Sequence, residues 1–256
     1  MDPAQVLAEF DAEMRAVPER SPADVVEEVE GIVRVVGAES WVIFSRLDSS
    51  TAPSAVRAQA AYFRGTGRRV EWKLFAHDRP PELARLLEAA GFVAEPTETM
   101  VALDLTEASP ATELVPGVEV RRASGAADLE LASRVSLEAF GAKDGWHASQ
   151  FAPRLGDPSF GVYLAWVDGQ PVGEGRLELP DGRRFASLWG GGTLPAFRGR
   201  GVYRALVAAR AVVARARGFR YLTVDARPTS RPILERLGFT PLDSVTGWVL
   251  DPSRLP

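Results

Sequence analysis

The feature that most constrains this chain is that it repeats itself. From Val70 it reads VEWKLFAHDRPPELARLLEAAGFVAEPTETMVALDL, and from Arg220 it reads RYLTVDARPTSRPILERLGFTPLDSVTGWVLD. Each passage spells a strand, an Arg-Pro, a short helix, a Gly-Phe, a loop and a second strand. Arg79-Pro80 answers Arg227-Pro228, and Gly91-Phe92 answers Gly238-Phe239 with one residue of slippage. A recurrence at about 150 residues lies far outside the roughly 20–50-residue period of a solenoid and implies two copies of one fold. Glycine after a helix serves as a left-handed C-cap, and the phenylalanine that follows can cover the last turn. At 256 residues the chain is long enough for two domains of ordinary size.

The boundary is legible too. The run TEASPATELVPG, from Thr106 to Gly117, is rich in Ser, Thr, Pro and Ala and has no apolar period, so it reads as a linker. The expected organisation is a first domain over 1–105, a linker over 106–116 and a second domain over 117–256. In the second domain the pattern predicts strands at 118–122, 161–168, 171–179, 184–193, 220–225 and 245–250. Helices are predicted at 128–140, 200–217 and 230–237. The first domain reads as a reduced version of the same order, with helices at 3–16, 53–64 and 81–90. The fold class is mixed α/β (α+β), a mostly antiparallel sheet flanked by helices in each copy.

Composition narrows the chemistry. The chain has no cysteine, which excludes disulfides, thiolate nucleophiles and thiolate metal sites. Its two histidines, His77 and His147, are too few and too far apart to read as a zinc site, so no metal is expected. No run approaches about 20 apolar residues and the acidic start lacks a secretory pattern, so the expectation is a cytoplasmic protein without a membrane span. Net charge splits unevenly: residues 1–116 carry 11 Lys and Arg against 20 Asp and Glu, whereas residues 117–256 carry 19 against 14. Within 176–236 there are thirteen arginines and four acids. Nucleic acid would call for a more basic domain with interleaved aromatics, and a small phosphorylated ligand fits better.

The sharpest motif is Thr193-Leu-Pro-Ala-Phe-Arg198-Gly199-Arg200-Gly201-Val202-Tyr203-Arg204, set between a predicted strand and a predicted helix. Glycines there let the backbone approach an anion, the N–H groups of the helix start point at it, and the helix dipole favours negative charge. Arg198, Arg200 and Arg204 can add charge-assisted bonds to phosphate. Arg64-Gly65-Thr66-Gly67 spells the same R-G-x-G, but it follows a helix and precedes a strand, where carbonyls are exposed; it is expected to cap that helix. Upstream of the motif, Trp189-Gly190-Gly191-Gly192-Thr193 places three glycines in or beside a strand, a signal for a bulge or for close approach by a ligand.

Over about 117–250, in order, the second half resembles the GNAT superfamily of acyl-CoA-dependent N-acyltransferases. GVEVRRASGAADLELASRVSLEAFG resembles the family's first strand and helix, and VYLAWVDGQPVGEGRLEL its second and third strands. Arg198 to Tyr203 matches the pyrophosphate motif (Q/R)-x-x-G-x-(G/A) in all but the last residue, and Ser230–Phe239 resembles the later helix ending in Gly-Phe. The resemblance implies acetyl-CoA in a gap between the fourth and fifth strands, with pantetheine along Gly191, Gly192 and Thr193 and pyrophosphate on Gly199–Arg204, Val202 included. It implies an N-acetyltransferase that transfers directly to a small-molecule amine, with no nucleic-acid or membrane partner; a homodimer is allowed. The alternative is a non-catalytic acyl-CoA-binding or regulatory protein. Tyr203 stands where the family has Gly or Ala, Leu234 where many members have a tyrosine acid, and Arg227 where an asparagine is common. Phe185–Thr193 holds no carboxylate, so Glu174 in the preceding strand is the candidate base, its bland alternative being a solvent-facing strand residue. His147 is a candidate for the border of the acceptor pocket or an ordinary loop histidine; His77 is expected to be structural. The first half reads as a degenerate copy that does not bind CoA.

Overall fold

The computed structural model describes residues 1–18, 24–37, 39–107, 115–141 and 145–254. The chain forms two compact units. One contains Met1–Met100, Asp225–Arg231 and Pro241–Pro256, the other Val101–Val224 and Pro232–Thr240. This grouping differs from the boundary read in the sequence, which left the C-terminal strand with the second domain. Residues 108–114, most of the expected linker, lie outside the described residues.

The first unit begins with α1 (Pro3–Phe10), continued by a π-helical turn over Asp11–Arg15. The strands β1 (Val25–Val29) and β2 (Ile32–Val36) form a hairpin whose two turn residues, Glu30 and Gly31, both take positive φ, the geometry that a two-residue turn needs to match strand twist. Next come β3 (Ser40–Ser45), α2 (Ala52–Thr66), β4 (Val70–Phe75), α3 (Leu83–Ala89) and the short β5 (Val93–Ala94). The chain then enters β6 (Glu98–Asp104), within which it passes to the second unit.

In the second unit β7 (Glu119–Arg122) leads to α4 (Ala126–Phe140) and the short α5 (Ala148–Phe151). The antiparallel meander of β8 (Phe160–Val167), β9 (Gln170–Glu178) and β10 (Phe185–Thr193) feeds α6 (Val202–Ala216). The chain continues through β11 (Tyr221–Ala226) and α7 (Arg231–Arg236) into β12 (Thr240–Leu250).

Strand order explains why the repeat boundary and the units disagree. The first unit's sheet runs β1-β2-β3-β4-β12, with β5 on β12, and the second runs β6-β11-β10-β9-β8-β7. The last strand of the second repeat, β12, therefore pairs antiparallel with β4 of the first, from Leu250 opposite Val70 to Val245 opposite Phe75. Reciprocally, Val101–Asp104 of β6 joins the second unit beside β11. The exchange buries apolar surface: Leu250 packs with Val70 and Trp72 of β4 against Val56, Ala60 and Phe63 of α2 and Leu83 and Leu87 of α3. On the opposite face Val245 joins Phe75 and Met100 under Leu7 and Phe10 of α1.

The π-helical turn anchors this first unit with a buried charge network. Arg15 donates twice to the Asp78 carboxylate at 2.8 and 2.9 Å, to Asp11 Oδ1 at 2.7 Å and to the Ile43 carbonyl at 3.0 Å. The His77 ring lies between Asp11 (Nε2 to Oδ2, 2.7 Å) and Asp243 of β12 (Nδ1 to Oδ2, 2.5 Å). The Asp11 hydrogen bond, with that of Asp243 and the nearby Asp78 charge, outweighs burial and lifts the imidazole to about 9. The expectation that His77 is structural thus has a concrete basis in three carboxylates.

Candidate active site

The site is assembled where β10 loses its partner on one side and its register on the other. β10 and β11 pair in parallel from Phe185/Tyr221 to Ser187/Thr223, and the pairing then stops while β10 continues. On the other side, Trp189 pairs with Arg176 and Gly192 with Glu174, so Gly190 and Gly191 together face Gly175 alone. This is a β-bulge, and it falls on the glycines that signalled one. Gly190 (φ +66°) and Gly191 (φ +99°) adopt backbone conformations that L side chains rarely take. A Cβ on Gly190 would lie 3.3 Å from Glu174 Oε1, and one on Gly191 would lie 2.6 Å from Tyr203 Cε2.

Beyond Thr193 the chain makes a short 3₁₀ turn over Pro195–Phe197 and reaches α6 through Arg198-Gly199-Arg200-Gly201. Gly199 (φ +76°) and Gly201 (φ +81°) are both left-handed, and a Cβ on Gly199 would meet nothing within 4 Å. Gly201 is the N-cap and supplies no side chain to the helix start; the Ala205 N–H is bonded to the Gly201 carbonyl at 2.9 Å. Gly201 thus brings no side-chain cap to the first turn, at the positive end of the helix dipole, and the Arg198, Arg200 and Arg204 side chains are exposed beside it. This arrangement fits a pyrophosphate. Arg198 also donates to the Thr193 carbonyl at 3.2 Å and to the Ala139 carbonyl at 3.4 Å. Tyr203 is the second residue of α6. It lies inside the helix, and its ring covers Gly191.

Glu174 is fully buried, not solvent-facing. Its Oε2 accepts a hydrogen bond from Trp146 Nε1 at 3.3 Å, while its Oε1, beside Gly190 and Gly192, has no hydrogen-bond partner among the described residues. Burial raises its pKa, against the opposing pull of Arg176, Trp146, Arg210 and Ser136. The bulge therefore carries a carboxyl group held toward its neutral form at the edge of a glycine backbone. Sequence reasoning missed Trp146 and Arg210. The signal for Arg210 was available: it interrupts the apolar stripe of Val202, Leu206, Val207, Ala211 and Ala214 on α6.

The other expected positions separate from this cluster. His147 caps α5, its N–H bonded to Gln150 Oε1 at 2.7 Å and its side chain exposed. Leu234 of α7 is fully buried, and Arg227 donates to Glu98 at 3.4 Å in the first unit. The Arg64–Gly67 motif closes α2 as its context predicted, with Gly67 left-handed and the Arg68 N–H on the Phe63 carbonyl at 3.1 Å.

The first unit repeats the strand–turn–helix geometry elsewhere. β3 and β4 also pair in parallel over three positions, Ser40/Val70 to Val42/Trp72, before α2 follows β3. The turn here, Arg46-Leu47-Asp48-Ser49-Ser50-Thr51, has no glycine. Asp48 Oδ1 accepts from the Ser50 and Thr51 N–H groups at 2.8 and 2.9 Å and from the Ser50 hydroxyl at 2.6 Å. The Ser50 hydroxyl and these backbone donors hold the carboxyl down to about 2. A carboxylate of the chain's own is thus bound within the turn that precedes α2.

Residues 129–239 match the family model described as acetyltransferase (GNAT) family. Two solved structures align over nearly the whole chain, both at 17% identity. One is a GCN5-related N-acetyltransferase from Kribbella flavida, covering 96% of this chain and 94% of that one at a TM-score of 0.66. The other is a GCN5-related N-acetyltransferase from Sphaerobacter thermophilus, covering 97% and 91% at 0.67. A tandem GNAT protein from the clavulanic acid biosynthesis pathway aligns at 17% identity over 93% of this chain and 86% of that one, at 0.62. No curated protein matches the sequence. Residues 129–239 thus match the GNAT acetyltransferase family, and the chain as a whole shares the fold of these solved structures. No described helix is long and apolar enough to cross a membrane.

Proposed function

We propose that this protein is an acetyl-CoA-dependent N-acetyltransferase that acts on a small-molecule amine by direct transfer in a ternary complex. The observation that carries the proposal is the pairing of a buried carboxyl group with a glycine bulge that leads directly into a helix start with glycine at its N-cap and arginines flanking it. Acetyl-CoA, when bound, supplies the acyl group as a thioester. Gly199–Arg204 would hold its pyrophosphate, and Gly191–Thr193 would lie along the pantetheine, with a backbone N–H of β10 polarising the thioester carbonyl. Glu174 in its ionised form would take up the proton that the acceptor ammonium must lose before its free amine attacks the thioester carbonyl, and CoA would leave as the thiolate. Leu234, buried and without a polar atom, takes no part in protonating the thiolate. A non-catalytic acyl-CoA-binding role shares the phosphate loop but gives no use to the buried Glu174.

The test is thiol release from acetyl-CoA across a panel of primary amines, and the absence of cysteine means that a thiol-reactive dye reports CoA alone. Amine-dependent release that falls by about 10²–10⁴-fold in Glu174→Gln is expected for a lost general base. Binding of acetyl-CoA with no transfer to any amine would favour the non-catalytic role.

A further inference from the structure

Arg210 is the least expected residue near the site. It projects from α6 with 1% of its surface exposed. Its Nε donates to the Leu206 carbonyl at 3.0 Å, and its Nη1 donates to the Arg176 carbonyl of β9 at 2.8 Å and to the Trp189 carbonyl of β10 at 3.3 Å. Arg176 and Trp189 are the last pair in register before the bulge, so one nitrogen clasps both strands at the point where they part. The guanidinium lies flat on Gly175, where a Cβ would come within 2.6–2.9 Å of its atoms; glycine is required there for the cation to fit. Desolvation lowers the Arg210 pKa, and Tyr203, Glu174 and Tyr163 pull the other way. A buried cation satisfied by strand carbonyls is costly, and its retention calls for a use beyond packing.

We propose that Arg210 is a positioning residue of the acyl-CoA site: by gripping the Trp189 and Arg176 carbonyls it fixes the bulge that presents the Gly190–Thr193 backbone to the pantetheine arm. This rests on the acetyl-CoA reading above. The placement has a second consequence on the other face of the sheet. Glu174 extends there from β9, facing Trp146, Ser136 of α4 and, on its own strand, Arg176, with Gly190 and Gly192 of β10 beside its Oε1. Arg210 is the charge that reaches Glu174 from α6, and it favours the ionised carboxylate.

The experiment separates the arm from the phosphates. Calorimetry compares CoA with adenosine 3′-phosphate 5′-diphosphate, which keeps the pyrophosphate but lacks pantetheine, on wild type, Arg210→Met and Arg210→Lys. Arg210→Met is expected to weaken CoA by about tenfold or more, the worth of a charge-assisted hydrogen bond, and to leave the fragment within about twofold. In parallel, the Glu174 carboxyl followed by ¹³C NMR should titrate at higher pH in Arg210→Met than in wild type. Equal losses for CoA and fragment, or no loss for either, overturn the proposal. If Arg210→Met does not fold, Arg210→Lys decides. It keeps the charge but cannot span three carbonyls, so several-fold weaker CoA binding with a nearly unmoved Glu174 titration is expected. Wild-type CoA affinity in that variant overturns the proposal. Failure of the wild type to bind CoA and fragment alike defeats the acetyl-CoA reading itself, while the Glu174 titration still reports on Arg210.

Discussion

Glu174 shows at the residue scale what a sequence can and cannot say. That a carboxylate was needed, and that β10 lacked one, was readable; that the side chain is wholly buried was not, because the alternation of Val172, Glu174, Arg176 and Glu178 looks like a polar face. The face is covered by α4 and Trp146, and that cover comes from packing remote in sequence. Burial raises the carboxyl, so the folded protein holds that proton more tightly than the unfolded chain does. Its contribution to stability is therefore full below the usual carboxylate range and falls as pH rises through the raised value. Glu174→Gln should leave the melting temperature at pH 7 equal to or above that of wild type while slowing transfer by about 10²–10⁴-fold, and should flatten the wild-type decline between acid and neutral pH. A lower melting temperature at pH 7 would show that the ionised carboxylate is structurally required. At Gly191, where φ is +99° and Tyr203 covers the Cα, alanine should cost about 1–3 kcal/mol by denaturant unfolding, the usual cost of an L residue in such a conformation.

At the scale of elements, most of the order was legible, since periods of two and near four mark β8–β10 and α6 plainly. The R-G-x-G at Arg198–Gly201 and its counterpart at Arg64–Gly67 were told apart by context alone, and the geometry of both follows from which end of a helix each occupies. What escaped was the first copy's turn at Arg46–Thr51, where the Asp48 carboxylate holds the Ser50 and Thr51 N–H groups, because it shares no letters with an arginine-glycine loop. The network joining the π-helical turn, the segment after β4 and β12 was equally hidden, its members being far apart in sequence. His77 is raised from 6.5 to about 9, chiefly by its hydrogen bond to Asp11. Its contribution to stability is complete below 6.5 and lost as pH rises through about 9. A scan of melting temperature from pH 6 to 10 should show a wild-type decline that is shallower in His77→Asn, with that variant already less stable at pH 6. Parallel curves would mean that the imidazole is not held protonated by its three carboxylates.

At the scale of the molecule, the internal repeat announced two copies of one fold, but the exchange of final strands could not be read from it. Repeat symmetry says which segments are alike, and a strand completes whichever sheet buries its apolar face. Leu250 and Val245 find theirs against Trp72 and Phe75 of the first unit. Removing 241–256 is accordingly expected to unfold the N-terminal half, with proteolysis beginning between β2 and α3, instead of trimming the unit that carries the glycine-arginine loop.

The two copies also differ in the turns that lead into these helices, with the Asp48 carboxylate bonded inside one and glycines and arginines forming the other at Arg198–Gly201. The most direct test of this asymmetry is calorimetric titration of the whole chain with acetyl-CoA, alongside Arg200→Glu and Arg64→Glu. One site per chain, lost in Arg200→Glu and unchanged in Arg64→Glu, is the predicted result. Two sites per chain, or a single site that survives Arg200→Glu, would contradict it.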